Sequence, residues 1–147
     1  MSEWEGYSFE YHHKFKKEFN RIINRHQCPS LKQDFKLLLE TLILNLDEQK
    51  QFPEHVCMHI AGLDESVKFP AFIVKKFRCK NINRGVNSGF RITFLFDFEE
   101  SRFIFVEIYK KNTQKVEDKN RLNNLFKKSM RIHDELYEGE EEFLNSE

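Results

Sequence analysis

The sequence predicts an α+β fold in which an N-terminal strand and a helical hairpin pack on a small antiparallel sheet, followed by a C-terminal helix. Three observations predict it. Apolar residues recur at helical spacing in two consecutive segments before residue 50 and at strand spacing in segments between residues 72 and 109. A stretch punctuated by Pro53, Gly62 and Pro70 separates the two regimes, the order expected when helices and strands segregate along a chain.

Tyr7 to Tyr11 alternates aromatic and polar residues, the pattern of a half-buried strand. Phe15, Phe19, Ile22 and Ile23 then fall at i, i+4, i+7 and i+8 with charged residues between them, which predicts an amphipathic helix. Pro29 bars Cys28 from helical geometry and ends it. Ser30, with Gln33 three residues on, has the form of a capping box for a second helix carrying Leu31, Phe35, Leu38, Leu39, Leu42 and Leu46 on one face. So short a connection predicts an antiparallel hairpin. Residues 50–70 lose periodicity and read as loop. Strands are expected over 72–80, Phe90–Phe98 and Phe103–Tyr109, the first two separated by the polar loop Asn81–Ser88 and the last nearly all apolar and therefore central. Asp118–Met130 carries Leu122, Leu125 and Phe126 at helical spacing. The reading is one domain over residues 1–130 with an acidic extension over 131–147, in the order β-α-α-β-β-β-α plus tail.

Of 147 residues, 39% are hydrophobic and 16 are Phe, enough apolar area for one core without staples. No run approaches the roughly 20 apolar residues that span a bilayer, and Met1 to Glu5 lacks the basic-then-apolar order of a signal peptide. Cys28, Cys57 and Cys79 are odd in number and widely spaced, which reads as reduced thiols in a cytoplasmic protein with no membrane partner. The formal net charge of zero conceals segregation. Residues 1–67 carry 8 basic and 11 acidic side chains, residues 68–132 carry 16 and 6, and residues 133–147 carry none and 7. The middle segment is a basic module.

Its chemistry concentrates in Phe72 to Lys80. At period 2, Lys76, Arg78 and Lys80 share one face, Ile73, Phe77 and Cys79 the other, and Lys75 interrupts the apolar side. Cations about 7 Å apart along a sheet repel one another unless an anion lies over them. Arg91 opens the next strand and Lys110-Lys111 closes the last, so these groups are expected to converge on one concave basic surface suited to a phosphodiester. The competing reading is that charged strand residues face solvent or guard an edge.

Phe77-Arg78, the loop, Ser88-Gly89-Phe90-Arg91-Ile92, Phe94 to Asp97, and Ile104 to Tyr109 followed by Lys110-Lys111-Asn112 together resemble the C-terminal half of RelE/ParE-type toxins of toxin–antitoxin systems. With the N-terminal strand and hairpin, the resemblance spans residues 7–126. It implies a RelE-like endoribonuclease (mRNA interferase) that inhibits translation by cutting mRNA on the ribosome. The ribose 2′-OH attacks the neighbouring phosphate, without metal or cofactor. Lys76 and Arg78 would activate the nucleophile or steady the phosphate, Arg91 would bind it in the transition state, and Lys110 or Lys111 would assist. Lys75, Lys80 and Arg84 would extend the RNA-binding surface. Clustered cations disfavour one another's protonation, so a lysine there could serve as base. The implied partners are a cognate antitoxin protein, mRNA and the ribosome. The same resemblance admits a ParE-like inhibitor of DNA gyrase and an inactive, purely binding member. The chain departs from the pattern at Val74, where a further basic residue is common, and in its long loop at Asn81–Ser88.

Other features read more plainly. His55, Cys57 and His59 alternate but lack a fourth ligand for structural zinc. His12-His13 reads as surface, and Arg121 and Lys127-Lys128 as a solvated helix face. The phenylalanines at 94, 96, 98, 103 and 105 alternate as a buried sheet face requires, though an exposed ring among them would stack a base. The acidic tail reads as a solvated extension, with a mimic of nucleic acid covering the basic face as the other reading.

Overall fold

The computed structural model describes residues 4–77, 79–80, 89–111, 114, 116–125 and 136–138, with backbone alone at Lys76 and at 136–138. The elements are β1 (Ser8–His12), α1 (His13–Asn24), α2 (Leu31–Gln49), β2 (Cys57–Ile60), β3 (Ala71–Phe77), β4 (Phe90–Asp97), β5 (Arg102–Lys110), α3 (Lys119–Asn124) and β6 (Leu136–Glu138). The protein is of the mixed α+β class. Its sheet runs in the order β2-β3-β4-β5-β1-β6. It is not wholly antiparallel, because β1 pairs parallel to β5, with Ser8 opposite Arg102 and Tyr11 opposite Phe105. A parallel pair needs a long crossover, and the two helices with strands β2 to β4 supply it.

The hairpin covers one face of the sheet. Phe15, Phe19 and Ile22 of α1, and Leu31, Phe35, Leu38, Leu39, Leu42 and Leu46 of α2, are all buried, as their spacing requires. Phe105 of β5 sits at the centre of this layer. It stacks on Phe103 at 5.7 Å and on Tyr11 at 5.7 Å, and takes the edge of Phe35 at 5.0 Å. Phe52, from the segment after α2, closes the β3–β4 end with its ring 4.9 Å from Phe72 and 5.3 Å from Phe94 and Phe96. The second sheet face buries Ile60, Ala71, Ile73, Leu95, Ile104, Val106 and Tyr109 beneath Leu122 and Leu125, at and just after α3. Phe94, Phe96, Phe103 and Phe105 are core, as expected, whereas Phe98 is half exposed.

Several expectations are corrected. The segment taken as loop contains β2, whose four residues pair antiparallel with β3 at the sheet edge; a strand this short shows too little alternation to read. The tail contributes β6, which pairs antiparallel with β1 through Glu10 opposite Glu138. Of the helix expected over 118–130, α3 occupies Lys119–Asn124, and residues 126–130 lie outside the described part. Ser30 stands at the α2 N-cap but makes no side-chain cap bond. Its hydroxyl instead donates to the buried Asp34 carboxylate at 2.7 Å, which also accepts the Lys80 amide at 2.9 Å. His12 is buried, not surface: it is the N-cap of α1, its Nδ1 accepting the Lys14 amide at 3.1 Å.

The cysteines are not all reduced. Cys28, before α2, and Cys79, after β3, form a disulfide across 51 residues of sequence. It ties the hairpin turn to the end of β3 beside Asp34. Cys57 remains a free, buried thiol, and burial pushes its pKa up to about 12, so it is unreactive at neutral pH. Thiol titration of the unreduced, denatured protein should therefore count one thiol; a count of three would refute the link. Reduction, or Cys79→Ser, should lower the unfolding free energy by about 2–4 kcal/mol in denaturant titrations.

Candidate nucleic-acid interface

Between Val74 and Phe77 the register of β3 against β4 shifts: Val74 pairs with Ile92 and Phe77 with Phe90. Lys75 and Lys76 together therefore oppose Arg91. This is a β-bulge, with two residues on one strand against one on its partner, a device that re-aims side chains. The Lys75 amide is satisfied by the Val56 carbonyl at 3.0 Å, so the irregularity costs no backbone hydrogen bond at that residue. The bulge also changes the phase of the strand. Ile73 faces α3, whereas Phe77 and Cys79 pack on the hairpin side. Simple alternation through the whole strand puts all three on one face, and that is where the sequence pattern misleads.

Lys75, the first residue past Val74, stands where the regular register sets it, opposite Arg91, and the two line one depression of about 340 Å³ on the α3 side of the sheet, together with His59 of β2 and Glu117 and Lys119 at the start of α3. Three cationic residues and one carboxylate thus line it over a floor that includes Ile73, while the His59 ring lies against Phe72 at 5.7 Å, on the hairpin side. Arg91 is half-buried and pairs directly with Tyr109. Burial pushes the Tyr109 phenol above its ordinary pKa, and the Arg91 charge pulls it part of the way back.

The other expected site residues divide. Lys80 lies on the opposite side, lining a separate depression with Asp34, Leu37 and Phe77 beside α2. Lys110 pairs with Phe90, one residue out of phase with Arg91, and so stands on the hairpin side; strand alternation separates the two. Lys111 follows in the turn after β5, its amide donating to the Gly89 carbonyl. The side chain of Lys76 and all of Arg78 and Arg84 lie outside the described residues. The expected convergence of all these cations on one surface is therefore met by Lys75 and Arg91, not by Lys80 or Lys110. His59 and Lys119 join the site without having been singled out for it. Lys119 belongs to the basic segment, but its place depends on how α3 docks. His59 entered the sequence reading only as a metal ligand with His55 and Cys57. Among the described residues the one grouping of metal-ligand side chains is Cys28, Asp34 and Cys79, and there the two sulfurs are bonded to each other.

The docking of α3 rests on a second arrangement. β1 covers β5 only as far as Phe105, leaving the edge of β5 beyond it without a neighbouring strand. Side chains fill that role. Glu18 of α1 accepts the Ile108 amide at 3.2 Å, and Arg121 of α3 donates to the Val106 carbonyl at 2.7 Å. The two are joined to each other by a bidentate ion pair at 3.1 and 2.7 Å. Buried Glu107 accepts the Asp118 amide and the Gln114 side chain, both at 2.8 Å. Burial works against the charge of Arg121, and Glu18, with Glu107 and Asp118, more than offsets it. Arg121 is thus a structural cation and not the solvated residue its position suggests.

Fold and site together define an α+β protein with a cation-lined depression at a sheet bulge. Neither the comparison with protein-family models nor that with curated proteins finds a match for this chain. No helix among the described residues is long and apolar enough to cross a membrane.

Removing Arg121 leaves Glu18 and the Val106 carbonyl without their partner, so Arg121→Met should cost on the order of 3 kcal/mol by chemical denaturation. The pH dependence has a definite sign. Burial, and then the Arg121 charge, push His12 down to about 3, with His13 and Lys14 adding to the effect and Asp118 opposing it. Between the unfolded value near 6.5 and that folded value, only the unfolded chain binds the proton, so stability falls as the medium is acidified through this window. The slope for one proton is about 1.4 kcal/mol per pH unit. Urea titrations at pH 7 and pH 5 should show a smaller acid loss for His12→Asn, which keeps an N-cap acceptor but does not titrate.

Proposed function

We propose that this chain is a RelE-like toxin, an endoribonuclease that cuts single-stranded mRNA on the ribosome and is neutralised by a cognate antitoxin. The observation that carries the reading is the pairing of β3 with β4, which sets Lys75 beside Arg91 in a depression that Lys119 joins. A concave site with several fixed cations and one carboxylate favours a guest with delocalised negative charge, and a phosphodiester is the chemical class that fits. The charge segregation of the chain and the resemblance of residues 7–126 to RelE/ParE-type toxins point the same way.

In this reading Arg91 grips the two non-bridging oxygens of the scissile phosphate. The ribose 2′-oxygen forms a bond to phosphorus as its proton passes to a base at the site. The bond from phosphorus to the 5′-oxygen breaks, and that oxygen takes up a proton. The products are a 2′,3′-cyclic phosphate and a 5′-hydroxyl. Charge builds on the phosphorane oxygens at the transition state, where Arg91, Lys75 and Lys119 stabilise it more than in the ground state.

The test is a cell-free translation system programmed with a defined mRNA. Wild-type protein should arrest synthesis and leave mRNA cut at discrete positions in primer extension. Arg91→Ala should slow cleavage about 10²–10³-fold. Arrest without cut RNA, or DNA damage with translation untouched, would reject the nuclease reading, and the second would point to a gyrase inhibitor.

A further inference from the structure

Beside the cationic depression lies a second, apolar one of about 380 Å³, lined by Phe52, Phe72, Phe98, Met58 and His59, with Gln51 and Glu54 also bordering it. We propose that it is a nucleobase subsite, filled by a base of the RNA strand whose phosphate the cationic depression holds. The inference rests on the RNA reading above and adds to it the group that receives the base.

Four observations carry it. First, Phe98 is 50% exposed at this hollow in a chain that buries most of its phenylalanines. Second, the rings are held for stacking. Phe98 is braced edge-on by buried Phe96 at 4.8 Å, and Phe72 by Phe52 at 4.9 Å and by the His59 ring at 5.7 Å. A braced ring loses little freedom when a base stacks on it. Third, the two hollows adjoin at strand β2, whose Met58 and His59 line both. That strand is at the sheet edge, so an RNA strand of several nucleotides can pass around it with one base in the aromatic hollow and a phosphate further along the strand over the cations.

The fourth observation is charge. Glu54 at the aromatic hollow repels a phosphate, whereas Lys75, Arg91 and Lys119 at the other attract one. That fixes which hollow takes a base and which a phosphate. A carboxylate accepts from the exocyclic amino group of a base, so adenine, cytosine and guanine are favoured over uracil, which presents carbonyls on either side of its one ring N–H. Aromatic stacking supplies the affinity and the carboxylate the preference.

The experiment is fluorescence anisotropy with labelled, non-cleavable 2′-O-methyl hexamers: an adenine hexamer, a uracil hexamer, and one of equal length with abasic sugars. Wild-type protein should bind the adenine hexamer about 5- to 100-fold more tightly than the abasic one, with uracil between them. Phe98→Ala should erase the advantage of base over abasic sugar, and Phe98→Tyr, which keeps the ring, should retain it. Arg91→Ala should weaken all the hexamers alike and reduce the salt dependence. Equal binding of base-bearing and abasic hexamers, or a base advantage that survives Phe98→Ala, overturns the subsite while the phosphate site and the RNA reading stand; the hollow then serves another ligand, such as an apolar side chain of a protein partner. If the wild-type protein binds no hexamer even at low salt, the RNA reading falls and the subsite falls with it.

Discussion

The structure depends on the layer of aromatic rings between the sheet and the helical hairpin, with Phe105 at its middle. Rings from β1, β4, β5 and both helices meet there at centroid separations of 5.0 to 5.7 Å. Because Tyr11 stacks on Phe105 from directly across the strand pair, the ring contact and the parallel register of β1 on β5 are the same constraint. Aromatic pairs add about 0.5–1.5 kcal/mol each beyond the area they bury, so the layer favours one register and one placement of α1 and α2. Through Phe52, Phe94 and Phe96 it also fixes the edge strands on which the proposed site is built.

The two sheet faces are held by different physics. The hairpin face is almost wholly apolar. The α3 face combines a smaller apolar cluster with the ion network of Glu18, Arg121, Glu107 and Asp118. That network satisfies β5 backbone groups that lack a strand neighbour, and in doing so it sets where α3 begins and therefore where Lys119 stands. Two arginines thus serve opposite ends on this face. Arg121 is consumed in structure, matched to a carboxylate and a carbonyl, while Arg91 lines a depression that also holds two lysines.

Strand pairing decides which cations meet. The regular register from Ala71 to Val74 already sets Lys75 opposite Arg91 on the face of Ile73, and the bulge that follows turns Phe77 to the hairpin side without leaving the Lys75 amide unpaired. The disulfide between Cys28 and Cys79 and the buried Asp34 pin the end of that same strand to the hairpin turn, so the irregular segment is anchored shortly beyond its kink.

The sequence alone determined the α+β class, both hairpin helices, and β1, β3, β4 and β5, because these rest on local periodicity: Phe15, Phe19 and Ile22 at helical spacing, and the phenylalanines of β4 and β5 in alternation. It also located the basic segment and singled out Arg91. It missed β2, four residues long, and β6, three residues in an acidic tail, because strands that short carry no readable period and exist only by pairing with an edge. Which cations meet was decided by tertiary structure. The β3–β4 register sets Lys75 opposite Arg91, the bulge beyond it turns Phe77 to the hairpin side, and pairing with Phe90 turns Lys110 away. Lys119 joined them from a segment distant along the chain. Burial of His12 and Arg121 was likewise invisible in the sequence, because their partners are carbonyls, amides and carboxylates supplied by other elements.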